Sequence, residues 1–401
     1  MSSRPVRLSL DVRERTRAGT KVHALSDLVT EIPGKLLTLH VNTQVTWRGG
    51  EQQTLYLLEG LRDRGHDVVL ATRPESPLAA RAAAVGIDGL PIRPINEGDP
   101  RVVFRLVRWR RRYAPQLGHV HAAHAHLLVW LASFLVPRVP VVVTRRVDLT
   151  IYRRWTMRVN ALKYRYRIAH YLAVSQAVRA RLLRDGVSAD RVTVVPSGVR
   201  PRSGDAPGPE RESVRRELGI PETALLVVSA GALVRGKGYD TLIEAVARMP
   251  TSVNARCVIA GSGKEHAALS DRVDQLGLGD RGRLVGCRED VHALLAAADI
   301  YAQPSLQEAL GTSIQDAMFC GIPIVASRVG GIPELIDDGV HGLLVPPADV
   351  TALSDALTEL LQSEDRRRSL GEAGQARVRA EFEVGRMVDG TLGVYRQVLE
   401  G

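Results

Sequence analysis

One pattern restricts the fold of this chain more than any other: an apolar strand, a glycine-rich loop and a helix, occurring twice. The first copy is the β run Lys35–Asn42, then Trp47-Arg48-Gly49-Gly50-Glu51 and a helical pattern through Arg64. Gly65-His66 stops that helix, and Asp67–Thr72 reads as the next strand. The second copy is the strand Ala224–Ala230, the loop Gly231-Ala-Leu-Val-Arg-Gly236-Lys237-Gly238, and a helix over Tyr239–Met249. Strand, loop, helix, strand is a βαβ unit, which builds a parallel sheet. A chain of 401 residues is too long for one ordinary core. The expectation is therefore α/β, with two Rossmann-like doubly wound domains. Ligands of such sheets bind at the C-terminal ends of the strands, where both glycine loops fall.

A third stretch carries the densest chemistry. It runs Pro304-Ser-Leu-Gln-Glu-Ala-Leu-Gly-Thr-Ser-Ile-Gln-Asp316, then Gly321-Ile-Pro-Ile-Val-Ala-Ser327, then Gly330-Gly-Ile-Pro-Glu334. It reads as strand end, glycine loop, helix, buried strand and second glycine loop. Gly311 allows a tight turn, and Thr312 or Ser313 is placed to cap the helix Ser313–Cys320. A helix start after a glycine loop suits a phosphate. Glu308 and Asp316 then offer one carboxylate on each side of that anion; the plainer reading makes both acids helix-end charges. The loop Gly231–Gly238 nearly matches G-x-x-x-x-G-K-[ST]. Gly238 stands where the Mg²⁺-binding hydroxyl belongs, so a P-loop NTPase is an alternative for this segment.

In the first half, Val102–Tyr113 is a basic helix with Arg105, Arg108, Arg110, Arg111 and Arg112 among apolar positions. It is either a solvated face or a surface for an anionic membrane. Gly118–Ala122 reads as a strand followed by His124 and His126. His119 and His121 are read as facing opposite sides of the sheet. Four histidines without zincin spacing or cysteine support do not predict a metal site. Val139–Thr144 is a buried strand that ends in Arg145-Arg146, a pair able to hold a phosphate. Pro196–Pro209 is rich in Pro and Gly and reads as a linker.

The net charge of +10 favours anionic partners. No basic segment interleaved with aromatics and no DNA-binding motif is present, so nucleic acid is not expected. Cys257, Cys287 and Cys320 are scattered, which fits a reducing cytoplasm. No apolar run is long enough to span a bilayer, and no signal peptide is expected.

The stretch Pro304–Glu334 resembles the donor-site signature of retaining glycosyltransferases of family 4, the GT-B "glycosyl transferases group 1". Their Glu, seven residues, Glu appears here as Glu308, seven residues, Asp316. Gly49-Gly50-Glu51 is similar to the family's first loop, and Pro196-Ser-Gly-Val to a later segment. Residues 1–34, polar, Arg-rich and without periodic pattern, are expected to be a poorly ordered extension; beyond them the resemblance implies GT-B architecture, with 35–200 the acceptor domain and 201–212 a linker. Residues 213–380 would be the donor domain and 381–401 a helix returning to the first domain. It also implies a nucleotide-diphosphate sugar donor, of UDP or GDP type, and no cofactor or metal. The basic charge and the lack of a membrane span, with this analogy, suggest a cell-envelope lipid or polysaccharide acceptor met by a cytoplasmic, peripheral enzyme. Catalytic candidates are Glu308, Lys237, His121 and His124. Donor contacts fall on Gly49, Gly50, Arg235, Lys237, Arg288, Glu308, Gly311, Thr312, Ser313 and Asp316, with Asp290 beside Arg288. Arg145 and Arg146 lie on the acceptor side. Two positions depart from the pattern: Ala232 stands at the usual Arg, with Arg235 the candidate to take over its role, and Ala123 at the usual second His. A nucleotide-sugar isomerase or hydrolase and a non-catalytic binding protein on the same fold are the alternatives.

Overall fold

The computed structural model describes residues 34–136, 139–147, 162–200 and 209–400. The expected N-terminal extension, Asp148 and most of Tyr152–Arg167 lie outside them. The chain divides into two compact units. Unit 1 takes residues up to Val174, Arg179–Val195 and Met387 onward; unit 2 takes Ser175–Val178 and Pro196–Arg386.

Unit 1 holds a seven-stranded sheet built from β1 (Leu37–Asn42), β2 (Asp67–Thr72), β3 (Asp88–Pro91), β4 (Leu117–Val120), β5 (Val141–Arg145), β6 (His170–Ala173) and β7 (Val192–Val194). The order is β3-β2-β1-β4-β5-β6-β7 and every pairing is parallel. Unit 2 holds a six-stranded sheet from β8 (Leu225–Ala230), β9 (Ala255–Ala260), β10 (Gly282–Leu284), β11 (Ile300–Gln303), β12 (Ile324–Ser327) and β13 (Leu343–Val345). Its order is β10-β9-β8-β11-β12-β13, again all parallel. Strands such as β1 and β12 are buried along their whole length, because helices cover both faces of a parallel sheet.

Each order reverses direction once. The switch lies between β1 and β4 in unit 1, and between β8 and β11 in unit 2. A crevice opens there beyond the strand ends. The Gly49 loop follows β1, and Gly231–Gly238 and Pro304–Gly311 follow β8 and β11. The topology thus carries the glycine loops to the two switch points.

Two expectations are corrected. The linker stops short of residue 212, since a helix begins at Pro209 and runs to Glu217. Proline at a first helical position loses no hydrogen bond. The basic helix, Pro100–Tyr113, is not a free amphipathic surface. Val102, Val103, Leu106, Val107, Trp109 and Tyr113 are buried in unit 1, and of its large apolar side chains Phe104 alone is exposed. No helix among the described residues is long and apolar enough to cross a membrane. The C-terminal helix Val384–Glu400 packs within unit 1 from Met387 onward. Gly60 allows this: a Cβ there would lie 2.5 Å from Val388 Cγ2.

Candidate functional site

In unit 2, two loops are bolted together. The N–H groups of Leu306 and Gln307 both donate to Gly236 O, at 2.9 and 3.2 Å. Gly238 (φ +64°) makes this possible, since a Cβ there would lie 2.1 Å from Pro304 O. The result sets Lys237 against Glu308, with Nζ 2.6 Å from Oε2. Ser305 Oγ donates to the same oxygen at 3.2 Å and accepts from Gln303 Nε2 at 2.7 Å. Tyr301 and Ser313 hydroxyls close on Gln303 Oε1 at 2.9 and 3.2 Å. Glu308 is therefore oriented by a side-chain network rooted in β11, with Oε1 left outside it.

The helix after this loop is Thr312–Phe319. Its N-cap is Gly311, and no side chain caps it. Thr312 and Ser313 are therefore not caps as expected; they lie inside the first turn, and Ser313 turns its hydroxyl to Gln303. The first-turn N–H groups have no intrahelical acceptor, the arrangement that receives an anion. Asp316 is half-buried one turn on. Arg235 is exposed in the turn Arg235–Lys237. Glu334 is engaged elsewhere, its two oxygens accepting from the N–H groups of Gln176 and Ala177 at 2.8 and 3.0 Å.

Arg288 and Asp290 lie together on the loop after β10. The Arg288 guanidinium is clamped by Asp290 and Glu217 in two pairs of hydrogen bonds, from 2.6 to 3.0 Å. These bonds satisfy it locally and hold both carboxylates below their usual range.

In unit 1 the polar edge is built at the β1/β4 switch. His119 and His121 share a face, with ring centroids 4.1 Å apart. This corrects the opposite-face expectation, because strand side chains repeat every two residues. His40, across from His119 in the ladder, joins them. Donor nitrogens of the three rings lie within 4.8 Å of one another, a grouping of the kind that holds a transition metal. Their hydrogen bonds argue otherwise. His40 Nδ1 lies 2.9 Å from His121 Nε2, and His40 Nε2 2.9 Å from Thr38 Oγ1. His119 binds Tyr395 OH at 2.5 Å and Thr144 Oγ1 at 2.6 Å. Arg146 Nη1 lies 3.3 Å from His121 Nδ1. All six ring nitrogens are engaged, and a guanidinium faces the cluster. His124 is not part of it; it stands exposed on the helix Ala123–Leu135 and pairs with Glu97 at 3.1 Å.

The two arginines do not act as a pair. Arg145 turns to Tyr164, its Nη1 2.5 Å from the hydroxyl, while Arg146 turns to His121. Successive strand residues point to opposite faces, so adjacency in sequence separates them. Arg146 lies against the helix Gly49–Asp63, where a Cβ on Gly50 would be 3.8 Å from Arg146 Cδ. No side chain caps that helix, and the buried Arg146 Nε has no partner among the described residues. Burial pulls Arg146 down to about 10, still charged near neutrality, and pushes buried Glu51 up.

Burial lowers His40 to about 3 and holds His119 and His121 well below the usual imidazole value. The unfolded chain therefore takes up protons first. Stability is full above about 6.5, the ordinary value, and falls with pH toward about 3. Denaturation at stepped pH should show this decline, and a His40→Asn variant should decline less steeply.

The sequence reading missed His40, Thr144 and Tyr395, whose partners are distant in sequence. Tyr301, Gln303 and Ser305 carried a local signal, since alternate residues of a strand end share a face beside the glycine loop.

The profile of Glycosyl transferases group 1 matches residues 210–377, and that of Glycosyltransferase Family 4 matches residues 47–203. The N-acetyl-alpha-D-glucosaminyl L-malate synthase of Bacillus anthracis is 31% identical over 186 residues, covering 46% of this chain and 49% of that one. The D-inositol 3-phosphate glycosyltransferase of Thermobifida fusca is 34% identical over 226 residues, covering 53% of this chain and 51% of that one. The chain thus spans about half the length of these curated relatives. Anabaena Alr3699/HepE, crystallised with UDP and glucose, superposes with a TM-score of 0.81 at 22% identity, over 90% of this chain and 100% of that one. That likeness is one of fold. One profile falls on the β1–β7 unit and the other on the β8–β13 unit, and the chain belongs to the family-4, group 1 glycosyl transferases, with the two Rossmann-like domains of the GT-B fold.

Proposed function

We propose that this protein is a retaining glycosyltransferase that moves a sugar from a nucleotide-diphosphate sugar to a hydroxyl of an anionic acceptor, without a metal. The observation that carries the reading is Lys237 held on Glu308, on the loop leading into the uncapped helix start at Gly311. As the bond from the anomeric carbon to the diphosphate breaks, its electron pair moves to a phosphate oxygen. Lys237 and the N–H groups of the Thr312 helix would stabilise that charge in place of a cation. The acceptor oxygen attacks from the same face, and its proton passes to the leaving phosphate. Glu308 Oε1 would accept donor-sugar hydroxyls, and Asp316 would hold the ribose. Arg235 would share the diphosphate charge that Ala232 cannot.

The anionic acceptor is supported by unit 1. Arg146, beside the uncapped start of the Gly49–Asp63 helix, would form an anion-binding corner with its first N–H groups. The relatives are named for L-malate and inositol 3-phosphate, both small and anionic. A second reading keeps a cell-envelope lipid acceptor, met by a cytoplasmic enzyme at the inner membrane face. It is favoured by an apolar surface recess of about 430 Å³, formed by Trp130, Phe134, Leu162, Tyr166 and Arg167.

A thermal-shift panel with UDP, GDP, CDP, ADP and ATP, each with and without Mg²⁺, tests the donor. A ligand at a hundred times its Kd adds about 2.7 kcal/mol of stability. Stabilisation by UDP or GDP without metal is expected. Stabilisation by ATP with Mg²⁺ alone would move the case to a P-loop enzyme. Nucleotide release with soluble anionic acceptors, set against release on anionic liposomes, separates the two acceptor readings.

A further inference from the structure

Arg146 is held from behind by a chain of hydrogen bonds whose direction follows from elementary chemistry. A guanidinium donates and cannot accept, so His121 Nδ1 must accept from it, across 3.3 Å. A neutral imidazole carries one proton, which must then sit on His121 Nε2. That N–H donates to His40 Nδ1 at 2.9 Å. The His40 proton is thereby placed on Nε2, where it donates to Thr38 Oγ1 at 2.9 Å. The Thr38 hydroxyl finally donates to the backbone oxygen of Asp67, at 3.3 Å. Reversing either imidazole step would set the His40 and His121 N–H groups, or that of His121 and the guanidinium, head to head. His40 is 0% exposed and His121 8%, so water offers little relief. The far end of the chain is a backbone carbonyl of β2, which pairs with β1.

We propose that His40 is a positioning residue for anion recognition: through His121 it fixes the direction of the Arg146 guanidinium, and so selects phosphate- or carboxylate-bearing acceptors. Arg146 has one nitrogen committed to His121, and its Nε has no partner among the described residues. Its side chain lies against Gly50, at the uncapped helix start. Turning the guanidinium away from His121 would change the direction of its remaining donors beside that helix start. The inference rests on reading Arg146 as an acceptor ligand, and the experiment separates the two.

Histidine ¹⁵N spectra of the wild-type protein come first. Protons on Nε2 of both His40 and His121 are expected; a proton on Nδ1 of either overturns the relay, whatever Arg146 binds. Loss of both Nε2 protons on adding Zn²⁺, with metal bound stoichiometrically, would also overturn it in favour of a metal centre. Next, binding of inorganic phosphate, L-malate and D-inositol 3-phosphate is followed on the Arg146 Nε resonance, with the donor nucleotide site saturated. His40→Asn keeps an acceptor near the Nδ1 position and should bind within about twofold of wild type. His40→Leu keeps none and should bind about tenfold more weakly, the scale of one hydrogen bond to a charged group. Equal affinity in both variants overturns the proposal. Should His40→Leu fail to fold, the wild-type tautomers and the His40→Asn affinity decide. Arg146→Gln tests the underlying reading: unchanged anion affinity there removes the acceptor role while leaving the tautomer result standing.

Discussion

Glu308→Gln should lower turnover about 100- to 1000-fold, the usual loss for one preorganised electrostatic group at a reacting centre. The reason lies in how the two carboxylate oxygens are divided. Oε2 takes both Lys237 Nζ and Ser305 Oγ. Oε1 is outside that network and, on the proposed function, would accept from the donor sugar. A glutamine must give its oxygen to the Lys237 side, because its amide nitrogen would meet an ammonium. It is left presenting a donor where an acceptor is required, and Lys237 loses the charge that orients it. The fold should survive. Glutamine keeps the size of the side chain and an oxygen toward Lys237 and Ser305, so the packing of the loop is retained. The melting temperature should fall by less than about 4 °C, the shift that about 1 kcal/mol produces in a domain of this size. Initial rates and a melting curve on the same preparation check both halves. Near-normal turnover in the variant would remove Glu308 from the reaction.

Gly330→Ala should be the most damaging single methyl group in unit 2. Its φ is +54°, and a Cβ there would lie 1.7 Å from the carbonyl oxygen of Glu308. That atom is backbone, so no side chain can swing aside to relieve the contact. The same peptide oxygen accepts from Gly331 N at 3.2 Å, so displacing it also breaks the tie between the loops. A loss of roughly 3 kcal/mol or more is expected, together with most of the turnover, because Glu308 moves with its peptide. Gly277→Ala is the control. Its φ is +62° and nothing lies within 4 Å of the added Cβ. It carries left-handed strain alone, about 1–2 kcal/mol, and should leave turnover intact. Equal destabilisation in the two variants would show that the close approach at Gly330 has no cost of its own.

Much of the geometry around Glu308 was legible because it is local. Lys237 follows its strand by one loop, Glu308 follows another, and the helix start at Gly311 is three residues further on. Wherever two strands are neighbours at a switch point, loops that follow them must meet. The pairing of Lys237 with Glu308 across 71 residues is a consequence of β8 lying beside β11. The Arg145-Arg146 pair shows the opposite failure. Read along the chain it looks like a two-pronged phosphate site, yet a strand turns adjacent residues to opposite faces, where Tyr164 and His121 take one each. The partner of Arg288 was hidden for another reason. A lone arginine on a loop gives no sign of its partner, and Glu217, 71 residues earlier, is brought to it only by packing.

The sequence by itself determined the two strand–glycine loop–helix repeats, the positions of β1, β2, β4, β5 and β8 within about two residues, and the glycine loop that carries Glu308. Each rests on short-range rules: apolar runs, the permissiveness of glycine, and the free amides of a helix start. Only the tertiary structure decided which polar groups meet. It stacked His40, His119 and His121 on one face, brought Tyr395 to His119 across 276 residues, and buried the apolar side of the basic helix Pro100–Tyr113. Those contacts depend on strand order and on the return of the C-terminal helix, and distance in space between such residues is not encoded in any stretch of chain short enough to read by pattern.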